Sequence, residues 1–267
     1  MKVKNKVIVV TGGGSGMGRG LILDLLNRGA RIIAIDINPT ALEETASLAA
    51  NYRESLSTVV LDITNREAVE EVSHEMVSRF GVVDGLINNA GIIQPFVRTN
   101  DLDYQVIERI MNVNFFGTLY MTKAFLPHLL TRPEAHIVNI SSMGGFLPVP
   151  GQSVYGAAKA AVKLLTEALR SELANSNIHV TVVFPGAVNT NIKANSGLVD
   201  RNEPKKTEHS NKILSAQKAA QLIIEGMEKS RYRVLVGKDA QFMDLMYRLN
   251  PRFAAKFIYR MMKSKLP

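Results

Sequence analysis

Lys6-Val-Ile-Val-Val-Thr11-Gly12-Gly-Gly-Ser15-Gly16-Met17-Gly18-Arg-Gly20 is a short apolar run that breaks into glycines and passes straight into Leu21, Ile22, Leu25 and Leu26. An apolar run of this length without alternation fits a parallel strand covered on both faces. Leucines and isoleucines spaced three and four apart fit a helix packed on one side. Strand, glycine turn and helix in this order form a phosphate-binding device. The glycines let the backbone turn sharply and come close to a pyrophosphate, and the helix N-terminus supplies free N–H groups and a positive dipole end. The spacing is Thr-Gly-x3-Gly-x-Gly rather than G-x-G-x-x-G. A glycine-rich turn with no ligand is the competing reading. The strand, the helix and a carboxylate downstream argue against it.

Downstream, Arg31-Ile-Ile-Ala-Ile-Asp36 reads as a second strand ending in that carboxylate, where a ribose would lie. Asp36 can accept hydrogen bonds from both ribose hydroxyls and would repel a 2′-phosphate, which favours NAD over NADP. Because Asn-Pro follows, Asp36 can alternatively cap the next turn. Strand and helix then alternate along the chain, which implies a parallel sheet with right-handed crossovers. Strands are expected near 6–11, 31–36, 57–61, 83–87, 135–141, 178–184 and 233–236. Helices are expected near 17–28, 40–51, 66–80, 102–113, 117–130, 154–175 and 215–229. One polar interruption, about 189–215, has the length of a lid or a disordered segment.

A chemical signal lies in Ser141-Ser142-Met-Gly144-Gly-Phe146 and the following Tyr155-Gly-Ala-Ala-Lys159. Residues four apart share a helix face, so Lys159 can lie one turn beyond Tyr155. Free tyrosine titrates near ~10 and is a poor base at neutral pH. A neighbouring ammonium favours the phenolate, as general acid–base chemistry requires. The spacing alone is weak evidence, because Tyr259-Arg-Met-Met-Lys263 repeats it within a basic tail. Ser142 and the glycine-rich front end distinguish the first copy.

Composition limits the alternatives. At 267 residues, 46% of them apolar, the chain can bury a large core as one α/β unit. No stretch approaches the ~20 apolar residues of a membrane span. The basic start is followed by an apolar run too short for a signal peptide. Zero cysteine removes disulfides and thiol catalysis and fits a cytoplasmic protein. The five histidines lack metal-ligand spacing, so no metal site is expected.

Taken in order, Thr11-Gly12…Gly18, Asp62, Asn88-Asn89-Ala90-Gly91, Asn114, Ser142, Tyr155, Lys159 and Pro185-Gly186 followed by Thr190 resemble the short-chain dehydrogenase/reductase family in its shorter form, over roughly residues 1–237. The resemblance implies a Rossmann-like, doubly wound parallel sheet of about seven strands with helices on both faces. It also implies direct hydride transfer between a nicotinamide and a secondary alcohol or ketone. Tyr155 would then exchange the proton, Lys159 would lower its pKa and hold the ribose, Ser142 would bond the substrate oxygen, and Asn114 would hold a water. Asn114 could instead mark a helix kink, and Ser141 is the alternative to Ser142. The implied cofactor contacts are Thr11, Gly12, Ser15, Gly16, Met17, Gly18, Asp36, Ile37, Asp62, Ile63, Asn89, Ala90, Gly91, Tyr155, Lys159, Pro185, Gly186, Val188 and Thr190. Asn88 could equally brace the sheet. Ile37 and Ser15 stand where NADP-preferring relatives often carry basic residues, which again favours NAD. The resemblance places the 189–215 lid over the substrate.

The expected substrate walls are Gln94, Phe96, Ser142, Gly144, Phe146, Leu147, Val149, Gln152 and Ile192, a mainly apolar set that points to a lipophilic alcohol or ketone. The tail 238–267 carries seven Lys/Arg against two Asp, +5 of the chain's +8. Its apolar residues recur at helical spacing, and Pro251 should divide it into two helices. Such a tail can pack on its own or a neighbouring subunit, or lie on an anionic membrane. No recognition motif for nucleic acid accompanies it. The family's habit of pairing through long helices implies a homodimer or homotetramer. A catalytically silent NAD-binding sensor or scaffold is the competing function, although it would not need the set Asn114, Ser142, Tyr155 and Lys159.

Overall fold

The computed structural model describes residues 1–198 and 213–266. Strand β1 (Val7–Thr11) leads to helix α1 (Gly16–Asn27), β2 (Arg31–Asp36), α2 (Pro39–Leu48), β3 (Leu56–Val60), α3 (Arg66–Phe80) and β4 (Gly85–Asn88). Then follow α4 (Tyr104–Met111), α5 (Gly117–Leu130), β5 (Ala135–Ile140), α6 (Ser153–Glu172) and β6 (Ile178–Pro185). Two-residue β7 (Val188–Asn189), short α7 (Ile192–Asn195) and two-residue β8 (Leu214–Ser215) precede α8 (Ala216–Glu228) and β9 (Arg233–Val236). The chain closes with α9 (Lys238–Leu249) and α10 (Pro251–Met262).

Seven strands form one parallel sheet in the order β3-β2-β1-β4-β5-β6-β9. Alternate residues of β1 explain its unbroken apolar sequence. Ile8 and Val10 enter one buried layer with α1 and α8, while Val7 and Val9 enter the opposite layer with α3 and α5. Both faces are thus covered, as parallel sheets require. Leu21, Ile22, Leu25 and Leu26 of α1 are fully buried, each contributing on the order of 1.5–3 kcal/mol. Successive strands depart in opposite directions from β1 and β4, so a crevice opens beyond their carboxyl ends, where ligands of such sheets bind.

Every strand and helix expected from the sequence is present. The second expected helix, 40–51, is shorter than read: α2 stops at Leu48 and a 3₁₀ turn over Ala50–Ser55 carries the chain into β3. Parallel pairing of Val188 with Leu214 and Asn189 with Ser215 draws together the two ends of the expected lid. Residues 199–212 of that lid lie outside the described residues.

Asn250 ends α9 and caps α10 by accepting the Phe253 N–H at 2.9 Å, with Pro251 in the first turn where its missing N–H costs nothing. The tail therefore breaks at Pro251, as read. Its inner face packs on the same chain: Met243, Ala254 and Ile258 bury against Leu147. Asp244 pairs with Arg233 at 2.8 Å, which ties α9 to β9.

Candidate active site

Four loops converge at the crevice. The glycine loop after β1 is tied to the loop after β4 through Thr11, whose buried hydroxyl accepts the Asn89 and Ala90 N–H groups, each at 3.0 Å. Asn89 returns a hydrogen bond to the Thr11 carbonyl at 3.0 Å. At Gly18 a Cβ would collide with the Gly12 carbonyl, so only glycine lets α1 start this close to the loop. Thr11 and Gly18, expected as cofactor contacts, thus shape the crevice from behind its wall. Pro185 is the buried last residue of β6, and Val188 packs against the core.

The crevice has a volume of about 570 Å³, and Gly12, Ser15, Gly16, Met17, Asp36, Ile37, Asp62, Ile63, Asn89, Ala90, Gly91 and Thr190 line it as expected. Ile192, expected on the substrate side, lines it too. The Asp36 carboxylate accepts the Gly14 N–H at 2.8 Å and the Asn38 N–H at 3.0 Å. Asn38, not Asp36, caps α2, accepting the Ala41 N–H at 3.1 Å. Asp36 is therefore fixed in place at the crevice wall. Arg19, the cation beside this loop, is already occupied: it donates to the Gly14 carbonyl at 2.5 Å and pairs with Glu44 at 2.7 Å.

Ser142 and Tyr155 meet beside Gly144, and the Lys159 ammonium lies next to Gly91 of the crevice lining; the three side chains are not themselves part of that lining. Ser142 Oγ accepts the Gly144 N–H at 3.1 Å, which leaves its O–H for the hydrogen bond with the Tyr155 side chain. Burial pushes the Tyr155 phenol above its ordinary value, and the bond to Ser142 works in the opposite direction. Lys159 is buried and donates to the Ile140 carbonyl at the end of β5 at 3.0 Å. Desolvation lowers its ammonium from 10.5 to about 8. The sequence leads one to expect an ammonium that pulls the phenol down. In the structure burial dominates both groups, raising the phenol and lowering the ammonium, because it disfavours the charged form of each. Ser141, the alternative serine, is spent on the Lys159 carbonyl at 2.7 Å.

Between α4 and α5 the helix widens into a π-helical turn at Asn112–Phe116, a distortion common at functional sites. It turns the buried Asn114 toward the loop after β4, where its amide donates to the Ile92 carbonyl at 2.9 Å and accepts the Ile92 N–H at 3.1 Å. A Cβ on Gly91 would stand 2.7 Å from Asn114 Oδ1 and 3.2 Å from Lys159 Nζ, so Gly91 is the spacer through which the two approach. Asn88 braces the sheet, donating to Asn139 Oδ1 at 2.8 Å and Thr122 Oγ1 at 3.1 Å.

Of the expected substrate walls, Gln94 caps the start of α6 and Gln152 braces the loop that carries it. Gln94 is fully buried; its Oε1 accepts the Tyr155 N–H at 2.8 Å and the Val154 N–H at 3.0 Å, and its Nε2 donates to the Gly151 carbonyl at 3.1 Å. Gln152 is buried and donates to the Gln94 carbonyl at 3.0 Å. The whole Gln94 head is therefore engaged by backbone around the start of α6, whereas Gln152 engages only its Nε2 and leaves its buried Oε1 without a partner among the described residues. Leu147 likewise belongs to the packing with the tail. Gly144 stays beside Tyr155, and Phe146 stacks edge-on to Phe184 at 5.5 Å and tilts against Tyr247 at 6.1 Å.

Three residues at the site escape a reading by sequence. Asn195 donates to Ser15 Oγ at 2.8 Å, and Ser196 Oγ accepts the Ile93 N–H at 2.9 Å, pinning the start of the lid across the glycine loop and the loop after β4. Asp239 Oδ2 accepts the Ala187 N–H at 2.6 Å. A Cβ on Gly186 would run into the same carboxylate, so the Pro185-Gly186-Ala187 turn fits closely against the tail. Only the Asn-rich polarity of 189–195 hinted at any of these contacts.

Residues 6–199 match the family model described as short chain dehydrogenase. The putative oxidoreductase SadH of Mycobacterium tuberculosis is 38% identical over 252 residues, covering 92% of this chain and 91% of the relative. The fold is also similar to a short-chain dehydrogenase/reductase of Burkholderia phymatum solved with NAD, at 25% identity and TM-score 0.81, covering 93% of this chain and 96% of the other. A short-chain dehydrogenase of Burkholderia cenocepacia solved with NADP aligns at 28% identity and TM-score 0.81, covering 97% and 99%. By the family match over most of its length and the similarity to SadH, the chain belongs to the short-chain dehydrogenase/reductase family.

Proposed function

We propose that this oxidoreductase exchanges a hydride between NAD and a lipophilic secondary alcohol or its ketone, with Tyr155 as the general acid and base. The observation that carries the reading is the joining of Tyr155 to Ser142, with a buried Lys159 next to Gly91 of the crevice that Asp36 also lines. A sensor or scaffold has no use for a buried ammonium beside a hydrogen-bonded phenol.

The crevice fits a dinucleotide. The N–H groups at the start of α1 face a pyrophosphate without help from a lysine. The Asp36 carboxylate, already held by two N–H groups, has lone pairs left for ribose hydroxyls. Ile37 beside it brings no positive charge for a 2′-phosphate, and Arg19 is engaged with Glu44. Asp62 and Ile63 would border the adenine, and Asn89, Ala90, Gly91, Gly186 and Thr190 the nicotinamide side. The nicotinamide, when bound, accepts or donates the hydride.

The protein handles the proton. In the oxidative direction Tyr155 must act as the phenolate, taking the hydroxyl proton as the C–H hydrogen leaves with its electron pair; in reduction the phenol gives that proton to the carbonyl oxygen. Ser142 would turn its one O–H from Tyr155 to the same oxygen when substrate is bound. Lys159, close in pKa to neutrality, supplies positive charge that is easily moved, and Asn114 stands next to it across Gly91. Phe96, Gly144 and Phe146 would form the apolar wall. Exposed Phe116, Leu130 and Leu164 on the α5 and α6 side support pairing into a homodimer or homotetramer, and the lack of cysteine agrees with a cytoplasmic setting.

The test is a panel of secondary alcohols and ketones assayed by cofactor absorbance, followed by Tyr155→Phe. Turnover should fall by ~1,000-fold or more while NADH binding persists. A variant that keeps most of its activity removes Tyr155 from the chemistry.

A further inference from the structure

The outer face of the α9–α10 hairpin presents an apolar surface that no other described residue covers. Phe242, Leu245 and Leu249 lie on one side of α9 at spacings of three and four; Phe253, Phe257 and Met261 do the same on α10. Phe242, Leu245, Leu249, Phe253 and Met261 are between 55% and 77% exposed. The two helices share this surface: Phe257 lies 6.3 Å from Phe242 and 6.4 Å from Phe253 between ring centres. Monomeric surfaces rarely leave so many large apolar side chains together without use.

The charges around it have one sign. No glutamate follows Glu228, and the two aspartates of the tail point inward, Asp239 to the Ala187 N–H and Asp244 to Arg233. Arg252, Lys256 and Arg260 border the apolar side of α10, and among the described residues no carboxylate pairs with them. A second copy meeting this face about a twofold axis would set cation against cation, with no acid to neutralise them. A surface that is negative and apolar at once satisfies both halves of the face.

We propose that the α9–α10 hairpin docks on an anionic lipid bilayer, with Phe242, Leu245, Leu249, Phe253 and Met261 in the acyl boundary and Arg252, Lys256 and Arg260 at the headgroups. No helix among the described residues is long and apolar enough to cross a membrane, so the contact is peripheral. The opposite face of the same hairpin packs on the loop that follows Ser142, through Met243 on Leu147 and Tyr247 on Phe146. Docking therefore brings the proposed substrate wall beside the lipid, although binding itself does not depend on turnover.

Co-sedimentation of the full chain with vesicles tests this, using phosphatidylcholine alone and phosphatidylcholine with about one-third phosphatidylglycerol. The protein should pellet with the anionic vesicles, dissociate at about 0.5 M salt, and stay in solution with the neutral ones. Leu245→Gln/Leu249→Gln/Phe253→Gln should weaken binding by ~10-fold or more. Arg252→Glu/Lys256→Glu, made entirely at exposed positions, should do so without touching the apolar surface. NADH binding and thermal midpoint should match wild type in both variants. Failure to pellet with anionic vesicles overturns the proposal, as does pelleting that neither variant weakens. So does an oligomer of the wild type that the triple variant dissolves on size-exclusion chromatography, since the face would then belong to a second copy. Loss of turnover in Tyr155→Phe with vesicle binding intact separates this proposal from the catalytic one.

Discussion

Asp239 Oδ2 holds the Ala187 N–H at 2.6 Å, so a residue of the C-terminal tail fixes the turn that follows β6. Asp239 also sits in the first turn of α9, where the helix dipole favours its charge. Charge-assisted hydrogen bonds of this kind are worth about 1.5–3 kcal/mol. Asp239→Ala should therefore loosen the Pro185-Gly186-Ala187 turn and weaken NADH binding about tenfold, with a smaller change in kcat. Asp239→Asn keeps an acceptor oxygen and should restore most of the affinity. Fluorescence titration with NADH checks this. If Ala and Asn behave alike, or if only the thermal midpoint moves, the bond has no part in holding cofactor.

Gln94 is a positioning residue for Tyr155. Its Oε1 satisfies two N–H groups at the start of α6, which have no partner within the helix. Gln94→Ala should cost about 1–3 kcal/mol, which for a chain of this size is a fall of several degrees in Tm. It should also lower kcat by about tenfold, because the Tyr155 backbone loses its anchor. Gln94→Glu retains the acceptor and should recover part of both. A substrate wall would behave differently: the alanine variant would then change KM for substrate and leave Tm alone.

The fate of Gln94 shows where a sequence stops being legible. The sheet could be read because each of its strands is a local apolar run, and β1, with its glycines, states its own neighbours. Ser142, Tyr155 and Lys159 could be read because one turn and one helix carry all three. Gln94 could not, because its partners lie 60 and 61 residues ahead and a glutamine beside Phe96 looks the same in a pocket wall as in a cap. Asp239 is 52 residues from Ala187, and nothing local distinguishes it from a solvated acid. The lowering of the phenol by Lys159 was a fair inference from spacing. In the folded chain burial raises the phenol, and the pull against it comes from the Ser142 hydrogen bond.

The proposed preference for NAD rests on Asp36 and its neighbours. Asp36→Ala/Ile37→Arg removes the ribose acceptor and adds a guanidinium suited to a phosphate. The ratio of kcat/KM for NADP over NAD should rise by ~100-fold, since each ribose bond to the carboxylate is worth about 1.5–3 kcal/mol. Glu44→Gln should add to this shift by releasing Arg19 from its 2.7 Å partner. Steady-state kinetics with both cofactors decides it. Good wild-type turnover with NADP and none with NAD would mean that the end of β2 has been misread.

Lys159 gives a pH signature of stability that can be separated from catalysis. Its folded-state pKa is lowered from 10.5 to about 8 by burial, so the folded protein holds the proton less firmly than the unfolded chain. The cost of burying the ammonium is therefore fully present below about pH 8 and fades as pH rises toward 10.5. A methionine there fills similar space without charge. Lys159→Met also loses the bond to the Ile140 carbonyl, but the neutral amine of wild type can still make that bond, so its loss is nearly independent of pH. The difference in Tm, variant minus wild type, should be largest near pH 7 and shrink by several degrees between pH ~8 and ~10.5, following a shift worth about 3 kcal/mol. The variant should be inactive throughout, so the measurement is calorimetric. A difference that stays flat or grows with pH would show that Lys159 carries no burial cost, and that the proton at the site is tuned by Tyr155 and Ser142 alone.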